Sequence, residues 1–178
     1  MNIFVLDANP ITAARMMCDK HIPKMVVETA QMLASALRRH GATDDIMPIA
    51  KPTGRPYKGG YHNHPCTVWT GDTQQNFLWL VDHGLTLSQE YITRFGKIHA
   101  CSSAVEQMQH HYQLIPCGMR TDFARAFNKE LYPFLYDEKQ YTAVEAYRAY
   151  YSIDKRRFAK WEKGTPAPYW WVKEKVIQ

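Results

Sequence analysis

A helical stripe of apolar side chains early in the chain constrains the fold more than any other feature of the sequence. Between residues 23 and 39, apolar or small side chains recur at intervals of three and four: Met25, Val26, Thr29, Ala30, Met32, Leu33, Ala36 and Leu37. Residues at this spacing share one face of an α-helix. Pro23 suits the first turn of such a helix, and Gly41, which follows two arginines and a histidine, suits its C-terminal end. The stripe therefore predicts a buried amphipathic helix and a mainly α protein.

Ionisable residues stand within and just before this stripe, in the stretch Cys18–Glu28. Glu28 falls on the apolar face, Lys24 lies one turn before it, and His21 lies one turn before Lys24. A carboxylate that faces a core beside an amine and an imidazole has the ingredients of an acid–base site. The same spacing also fits a solvated Lys24–Glu28 ion pair with His21 at the end of the helix, so both interpretations stay open.

Further periodic segments follow along the chain. Residues 2–7 predict a short strand or a buried extended segment, and Asn9-Pro10 predicts the start of a helix over residues 10–20. Later helices are predicted from Asp72 to Phe95, over 97–112 and over 138–162, with a short helical piece at 122–129. The 178 residues thus predict one mainly α domain over 1–178, a compact bundle of about five to six helices with a short N-terminal extended segment.

A long loop is predicted between residues 42 and 61. Six prolines and glycines exclude regular structure over most of this stretch. Arg55 and Lys58 alternate with Tyr57 and Tyr61, a mixture that offers cations to phosphates and rings to bases. The loop is therefore a candidate nucleic-acid contact, although a flexible surface loop fits the same composition.

A polar turn, His62-Asn63-His64-Pro65, follows the loop. His-x-His with Cys66 nearby has a spacing that metal ions use, but no fourth ligand is spaced nearby. We therefore interpret the turn as one that aims polar side chains into a site, and predict no metal. The sequence also lacks a glycine-rich phosphate loop and a nucleophile elbow, so no cofactor is predicted.

The C-terminal part, 138–178, is predicted to be a basic helix followed by an aromatic tail. Lysines and arginines over 155–163 alternate with Phe158 and Trp161, and the net charge of the chain is +5. A basic, aromatic helix end favours an anionic partner such as nucleic acid. The alternative is a solvated helix end whose cations complement the helix dipole.

Several other classes of protein are excluded by cysteine spacing and hydropathy. The four cysteines are scattered without a CxxC pair, which argues against a zinc ribbon and a disulfide scaffold. No run approaches the ~18 apolar residues of a membrane span. The first residues carry no basic flank typical of a signal peptide, so we expect reduced thiols, a cytoplasmic location and no membrane partner. The sequence does not specify an oligomeric state.

Three motifs resemble those of an uncharacterised family of small proteins seen mainly in bacteriophages. They are the CDKH…K…E start at Cys18–Glu28, the Y-x-NHP turn at Tyr61–Pro65 and the AYR-Y helix at Ala146–Tyr151. The likeness spans most of the chain. It implies the cytoplasm of a host cell as the location, but it implies no activity.

The order of an early helix with a glutamate, a long loop with glycine and lysine, and Tyr-x-Asn-His-Pro is also similar to the pyrimidine-dimer DNA glycosylases of the endonuclease V type. Those small helical enzymes use an N-terminal α-amine as nucleophile and one glutamate on an early helix. The glutamate maps onto Glu28. Asn2 disfavours removal of the first methionine, so three alternatives stay open: the amine stays on Met1, Lys20 or Lys24 replaces it, or no Schiff base forms.

The resemblance implies a pyrimidine nucleotide in DNA as the substrate, which has to be unstacked or flipped to expose its sugar. Glu28 would stabilise positive charge at the sugar or activate the nucleophile. His21 and His64 would be proton carriers or phosphate donors, and Lys24 a phosphate clamp or an imine-forming amine. The other predicted substrate-binding residues are Asp19, Lys20, Arg55, Lys58, Tyr61, His62, Asn63, Asn76, Arg148 and Arg156.

Two rival hypotheses explain the same basic and aromatic residues by a different activity. One is an enzyme that modifies pyrimidine bases in DNA, with His21 as the base. The other is a non-enzymatic protein that binds DNA or a host protein. Glu28 separates these classes, because only an enzyme requires its carboxylate for turnover.

Overall fold

The computed structural model describes residues 1–171 of the chain. Its helices are α1 (Pro10–Arg15), α2 (His21–Arg39), α3 (Pro65–Asp72), α4 (Gln74–Phe95), α5 (Ser102–Gln109) and α6 (Ala143–Asp154), with 3₁₀ turns at Tyr112–Leu114 and Pro133–Tyr136. Two short antiparallel strands, β1 (Ile49–Ala50) and β2 (Arg55–Pro56), form a hairpin inside the long loop. The predicted mainly α bundle is confirmed. In the described part of the chain, no helix is both long and apolar enough to cross a bilayer.

Helix α2 is the centre of the bundle, as the apolar stripe predicts. Thirteen of its 19 residues are buried, and it packs against α3, α4 and α5. Gly84 of α4 allows the closest approach, because a Cβ at that position would lie 2.5 Å from the methyl carbon of Thr29. The position of Glu28 is therefore fixed by the best-packed helix of the protein.

The N-terminal segment is buried, as predicted, but it is not a strand. Ile3 to Leu6 are each at most 4% exposed, and Phe4 adopts a φ of 55°, a left-handed conformation uncommon outside glycine. The side chain of Asn2 accepts hydrogen bonds from the backbone nitrogens of Ile3 and Phe4, at 2.8 and 3.0 Å. These bonds satisfy backbone donors that a strand partner would otherwise have to satisfy.

The predicted helix from Asp72 to Phe95 is wrong at its start. Thr73 has extended backbone angles and separates two helices, with Asp72 as the last residue of α3. The Thr73 hydroxyl accepts a 3.1 Å hydrogen bond from the backbone of Asn76 and so caps α4. The end is as predicted, because Gly96 takes the left-handed conformation that closes α4.

Helix lengths elsewhere also differ from the predictions. Helix α1 ends at Arg15, and α2 begins at His21, which places Pro23 inside its first turn. Helix α5 covers only the middle of 97–112, and residues 122–129 form no helix.

The last helix is shorter than the predicted 138–162. A capping box between Thr142 and Glu145 starts α6, and Asp154 ends it, so the basic segment 155–163 is not helical. Instead, Trp161 Nε1 donates to the carbonyl of Met16, and the backbone nitrogen of Glu162 donates to Asp19. These bonds hold the segment over the start of α2. In the aromatic tail, Trp170 and Trp171 pack near Tyr151, and residues 172–178 lie outside the described residues.

Candidate active site

The amino terminus of the chain lies against Glu28, in the middle of α2. The backbone nitrogen of Asn2 donates a 2.8 Å hydrogen bond to Glu28 Oε2, and the amino group of Met1 is 4.0 Å from the same oxygen. The Glu28 side chain is only 11% exposed. An amine and a carboxylate at this separation can exchange a proton through one intervening water. The arrangement thus places an amine and a carboxylate side by side in a partly buried place.

Met1 is positioned so that its main chain, rather than its side chain, faces outward. The residue is half-buried overall, but its side chain is only 1% exposed, so the remaining exposure belongs to its main-chain atoms. The side chain of Met1 packs against the core, and that packing anchors the amino group. The exposed part of Met1 is therefore its main chain, to which the amine belongs.

Asn2 fixes the N-terminal segment in this place. It is 6% exposed, and its Nδ2 donates a 2.8 Å hydrogen bond to the carbonyl of Ala126. Its Oδ1 accepts from the next two backbone nitrogens, so both ends of the amide have partners. Sequence reasoning considered Asn2 only for its effect on methionine removal and missed this role. An asparagine next to a short buried segment is a signal for such a turn.

Lys24 and Glu28 form the ion pair that their spacing predicts. Lys24 Nζ lies 3.5 Å from Glu28 Oε1, and the lysine side chain is 62% exposed. An exposed pair of this kind contributes at most about 1 kcal/mol to stability. The pair therefore leaves the ammonium group accessible beside the carboxylate, where it can meet an anionic substrate.

His64 begins α3 and lies close to both the N-terminal amine and Glu28. Its Nδ1 accepts a 3.2 Å hydrogen bond from the backbone of Cys66, so in the neutral ring the proton resides on Nε2. Burial lowers the pKa of His64 and the positive N-terminal amine lowers it further, while Glu28 acts in the opposite direction. His64 is thus a neutral imidazole with an N–H available to donate.

The loop that leads to His64 is fixed to α2. The hydroxyl of Ser35 donates to the carbonyl of Gly60 at 2.9 Å and accepts from its nitrogen at 2.8 Å. Arg38 donates two hydrogen bonds to the carbonyl of Tyr57. Gly59 has a φ of 81° and lies against Ser35, so a side chain has no room there. The predicted long loop is therefore an anchored segment over its last residues.

Tyr61, His62 and Asn63 are exposed beside His64, as expected for residues that contact a substrate. Tyr61 is 67% exposed and has a φ of 53°, which is rare for a bulky side chain. Backbone outliers of this kind cluster at functional sites. The polar turn thus presents three side chains at the surface next to His64, whose N–H can donate a hydrogen bond.

His21 is not brought to Glu28. Its Nδ1 shares a 2.8 Å hydrogen bond with the hydroxyl of Tyr151, and its ring stacks on Phe4 with centroids 4.7 Å apart. Burial, together with the charges of nearby lysines, lowers the pKa of His21 to about 3. At neutral pH the ring carries no extra proton to transfer. The surroundings of His21 are those of a core histidine that positions the N-terminal segment.

Three other predicted substrate-binding residues hold the fold together. Asp19 is 3.0 Å from the guanidinium of Arg94 and accepts from the backbone of Glu162. Asn76 is fully buried and bonds both backbone and side chain of Thr121. Arg148 donates to the carbonyl of Leu6 at 2.8 Å and pairs with Asp7 at 3.1 Å, and both bonds hold the N-terminal segment against α6.

The remaining predicted cations lie at the surface. Lys58 is 67% exposed and pairs with Asp44, and Arg55 lies exposed on β2. The ammonium of Lys20 lies 4.7 Å from the centroid of the Phe158 ring, and the guanidinium of Arg156 lies 5.3 Å from the centroid of the Trp171 ring. These side chains stay candidates for contacts with an anionic polymer.

His62, His64 and Cys66 do not form a ligand cluster. The Cys66 thiol is buried 3.9 Å from the hydroxyl of Tyr147, and burial raises the pKa of this thiol to about 12. Among residues 1–171, no three histidine, cysteine, aspartate or glutamate side chains are grouped to hold a metal ion.

Comparison with known proteins adds one finding to this geometry. A family model described as pyrimidine dimer DNA glycosylase matches residues 1–102. The match includes Met1, Glu28 and His64 and ends at the first residue of α5. No curated protein and no solved structure matches the chain. Residues 103–171, with α6 and the basic segment after it, lie outside the matched part.

Proposed function

Because the chain belongs to the pyrimidine dimer DNA glycosylase family, we propose that it is a DNA glycosylase that acts on damaged or modified pyrimidine nucleotides. The observation that carries this proposal is the approach of the Met1 amine to within 4.0 Å of Glu28 Oε2. That pair lies inside the part of the chain that the family model matches. The exposed ammonium group of Lys24 and the exposed polar turn 61–63 lie beside this pair, and they suit a polymeric anion better than a small molecule.

In the proposed reaction, the neutral amine of Met1 attacks C1′ of the target nucleotide. A bond forms between the amine nitrogen and C1′, while the bond from C1′ to the base breaks and its electron pair leaves with the base. Glu28 accepts the proton that the attacking nitrogen loses, and its negative charge stabilises the positive charge that develops at the sugar. The partial burial of Glu28 strengthens this interaction, because fewer waters screen it.

His64 is proposed to assist the departing base or an adjacent phosphate. Its Nε2–H is the donor that remains when Nδ1 accepts from the backbone of Cys66. Because the His64 ring is neutral, it can donate this hydrogen bond without adding a second positive charge next to the amine. Lys24, 3.5 Å from Glu28, is proposed to contact a phosphate of the target strand.

The covalent adduct then has two fates. Cleavage of the C1′–O4′ bond, with the ring oxygen taking up a proton, gives an imine between the protein and the open sugar. Water can add to C1′ and release the amine, which leaves an abasic site. Alternatively, loss of a proton from C2′ expels the 3′ phosphate and breaks the strand, which is lyase activity.

The replacement Glu28→Gln tests the proposal. The amide still has an oxygen to accept from Asn2, so the fold is retained while the base and the negative charge are lost. Duplexes with a pyrimidine dimer, a modified pyrimidine or plain sequence are incubated with each protein, and abasic sites and released bases are measured by alkaline cleavage and mass spectrometry. We expect turnover to fall by about 10²-fold or more.

Glu106→Gln is the matched control, since Glu106 is exposed on α5. It should leave turnover unchanged. Wild-type turnover in a folded Glu28→Gln protein would contradict the proposal. Equal binding of the duplexes, without turnover by any variant, would favour a DNA-binding protein instead.

A further inference from the structure

A pocket lies near the start of α2, between the end of α4 and the segment that follows α6. Its volume is about 340 Å³, and two phenylalanine rings, Phe95 and Phe158, form part of its lining. Lys20, Lys160 and Lys163 also line it. Phe158 and the last two lysines come from outside the part of the chain that the family model matches, so the pocket lies between the matched part and the C-terminal part.

The lysines lie over the rings. Lys20 Nζ is 4.7 Å from the centroid of Phe158, and Lys163 Nζ is 5.3 Å from the centroid of Phe95. Tyr91 also stacks on Phe95 with centroids 4.9 Å apart, and the guanidinium of Arg157 lies 5.7 Å from the Phe158 centroid. Rings and ammonium groups are the two components of a single-strand nucleic-acid site, because a base can stack on a ring when the flexible lysine moves from that ring to a phosphate.

The charge at the pocket is positive despite two carboxylates in its lining. Asp19 is bonded to Arg94 and to the backbone of Glu162, and the carboxylate of Glu162 is 3.7 Å from Lys160. Within residues 1–171, no carboxylate lies within 4.0 Å of Lys20 or Lys163. These two ammonium groups are therefore available to an anion.

The pocket is aligned with the candidate active site along α2. Lys20, Lys24 and Glu28 are spaced four residues apart and so follow one side of the helix. Eight residues of helix span about 12 Å, and a base pair of B-DNA rises about 3.4 Å, so a few nucleotides separate the pocket from Glu28. A strand bound at Glu28 can thus extend to the pocket over the two lysines.

We propose that this pocket holds an unpaired nucleotide of the DNA strand that passes Glu28, with its base against Phe158 and Phe95 and its phosphate on Lys20 and Lys163. This inference rests on the proposed function. The nucleotide that enters the pocket has to be unpaired, because a paired base cannot present its face to a ring. Such nucleotides occur near a damaged or flipped pyrimidine.

Binding of dye-labelled duplexes by Glu28→Gln protein, followed by fluorescence anisotropy, tests the pocket without turnover. One duplex is fully paired, and the other carries an unpaired stretch a few nucleotides from the target pyrimidine. We expect the unpaired stretch to tighten binding, and Phe158→Leu to weaken binding to that duplex alone by about 5-fold to 150-fold, the range of base–aromatic stacking.

The double replacement of Lys20 and Lys163 by alanine gives a second measurement, because loss of Phe158 also removes its edge contact with His21. The slope of the binding constant against salt concentration should fall by the equivalent of one to two phosphate contacts. The control is Lys139→Ala, at an exposed lysine of another segment, which should leave this slope unchanged. Equal binding of the two duplexes, or equal losses on both, would overturn the proposal.

The pocket and the proposed activity fail separately. Turnover of a fully paired damaged duplex by the wild-type protein tests the activity and does not require the pocket. A preference for unpaired nucleotides without any turnover would support the pocket and contradict the glycosylase assignment. Turnover without a preference for unpaired nucleotides would support the glycosylase activity and contradict the pocket. Tight binding of free nucleoside monophosphate that is unaffected by Phe158→Leu would show a phosphate site only and would also overturn the proposal.

Discussion

Mild acid should destabilise this protein because two histidines are buried without their charge. His21 and His83 both have a pKa near 3, lowered by burial in each case and, for His21, by nearby lysines as well. His83 is stacked on Trp79, and neither of its ring nitrogens has a hydrogen-bond partner among the described residues. In the unfolded chain the pKa of each ring returns to about 6.5. Stability is therefore complete above pH 6.5 and is lost as pH falls toward 3.

The size of the loss follows from the two pKa values. Between pH 7 and pH 5.5 the unfolded chain takes up most of a proton at each histidine while the folded protein takes up almost none, which costs about 1.2 kcal/mol per histidine and about 2.5 kcal/mol for both. Ordinary carboxylates stay ionised over this range. His64 and His99, whose pKa values burial also lowers, act in the same direction.

Urea unfolding at pH 7 and pH 5.5 measures this difference. His83→Leu removes one of the two groups and should reduce the loss by about 1.2 kcal/mol, even if its stability at pH 7 differs from that of the wild type. A free energy of unfolding that is equal at the two pH values would refute the reasoning. An unchanged loss in the His83→Leu protein would show that His83 is not the source.

Two further predictions concern structures that hold the site in place. The Arg94 guanidinium is fully buried between Asp19 and Glu90, so Arg94→Leu removes the buried cation that both carboxylates share. It should cost about 3 to 5 kcal/mol, seen as a fall of roughly 10 °C in Tm; an unchanged Tm would contradict this. Gly59→Ala puts a Cβ 2.7 Å from the backbone nitrogen of Ser35 in α2, whereas Gly54→Ala adds a Cβ at a similar positive φ with no atom within 4 Å. The first should lower both Tm and turnover by moving the loop that carries His64, and the second should lower Tm slightly; equal effects would show that only backbone strain matters.

The central helix and its charged pair could be predicted because their determinants are local. A 3.6-residue period over 23–39 specifies a buried face, and Lys24 and Glu28 meet across one helical turn whatever else the chain does. The same holds for Gly96, whose left-handed conformation ends α4. For these residues, the prediction and the structure agree.

The parts that could not be predicted depend on residues far apart in the chain. Asn2 meets Glu28 across 26 positions and Ala126 across 124, and no periodicity reports such pairs. His21 is close in sequence to Lys24 and Glu28, but its ring is buried and hydrogen-bonded to Tyr151, which lies 130 residues later in the chain. The composition of the basic segment 155–163 is that of a helix, yet the segment is not helical. Trp161 and Glu162 instead donate hydrogen bonds to Met16 and Asp19, far away in the sequence.

Reductive trapping tests the central claim most directly. The protein is incubated with a duplex that contains a pyrimidine dimer in the presence of borohydride, which reduces an imine to a stable amine, and the linked peptide is identified by mass spectrometry. We predict a link to the N-terminal α-amine that forms with the damaged duplex, does not form with the plain duplex and is lost in Glu28→Gln. A link to Lys24, or abasic sites that form without any trapped adduct, would contradict the claim that the amine beside Glu28 is the nucleophile.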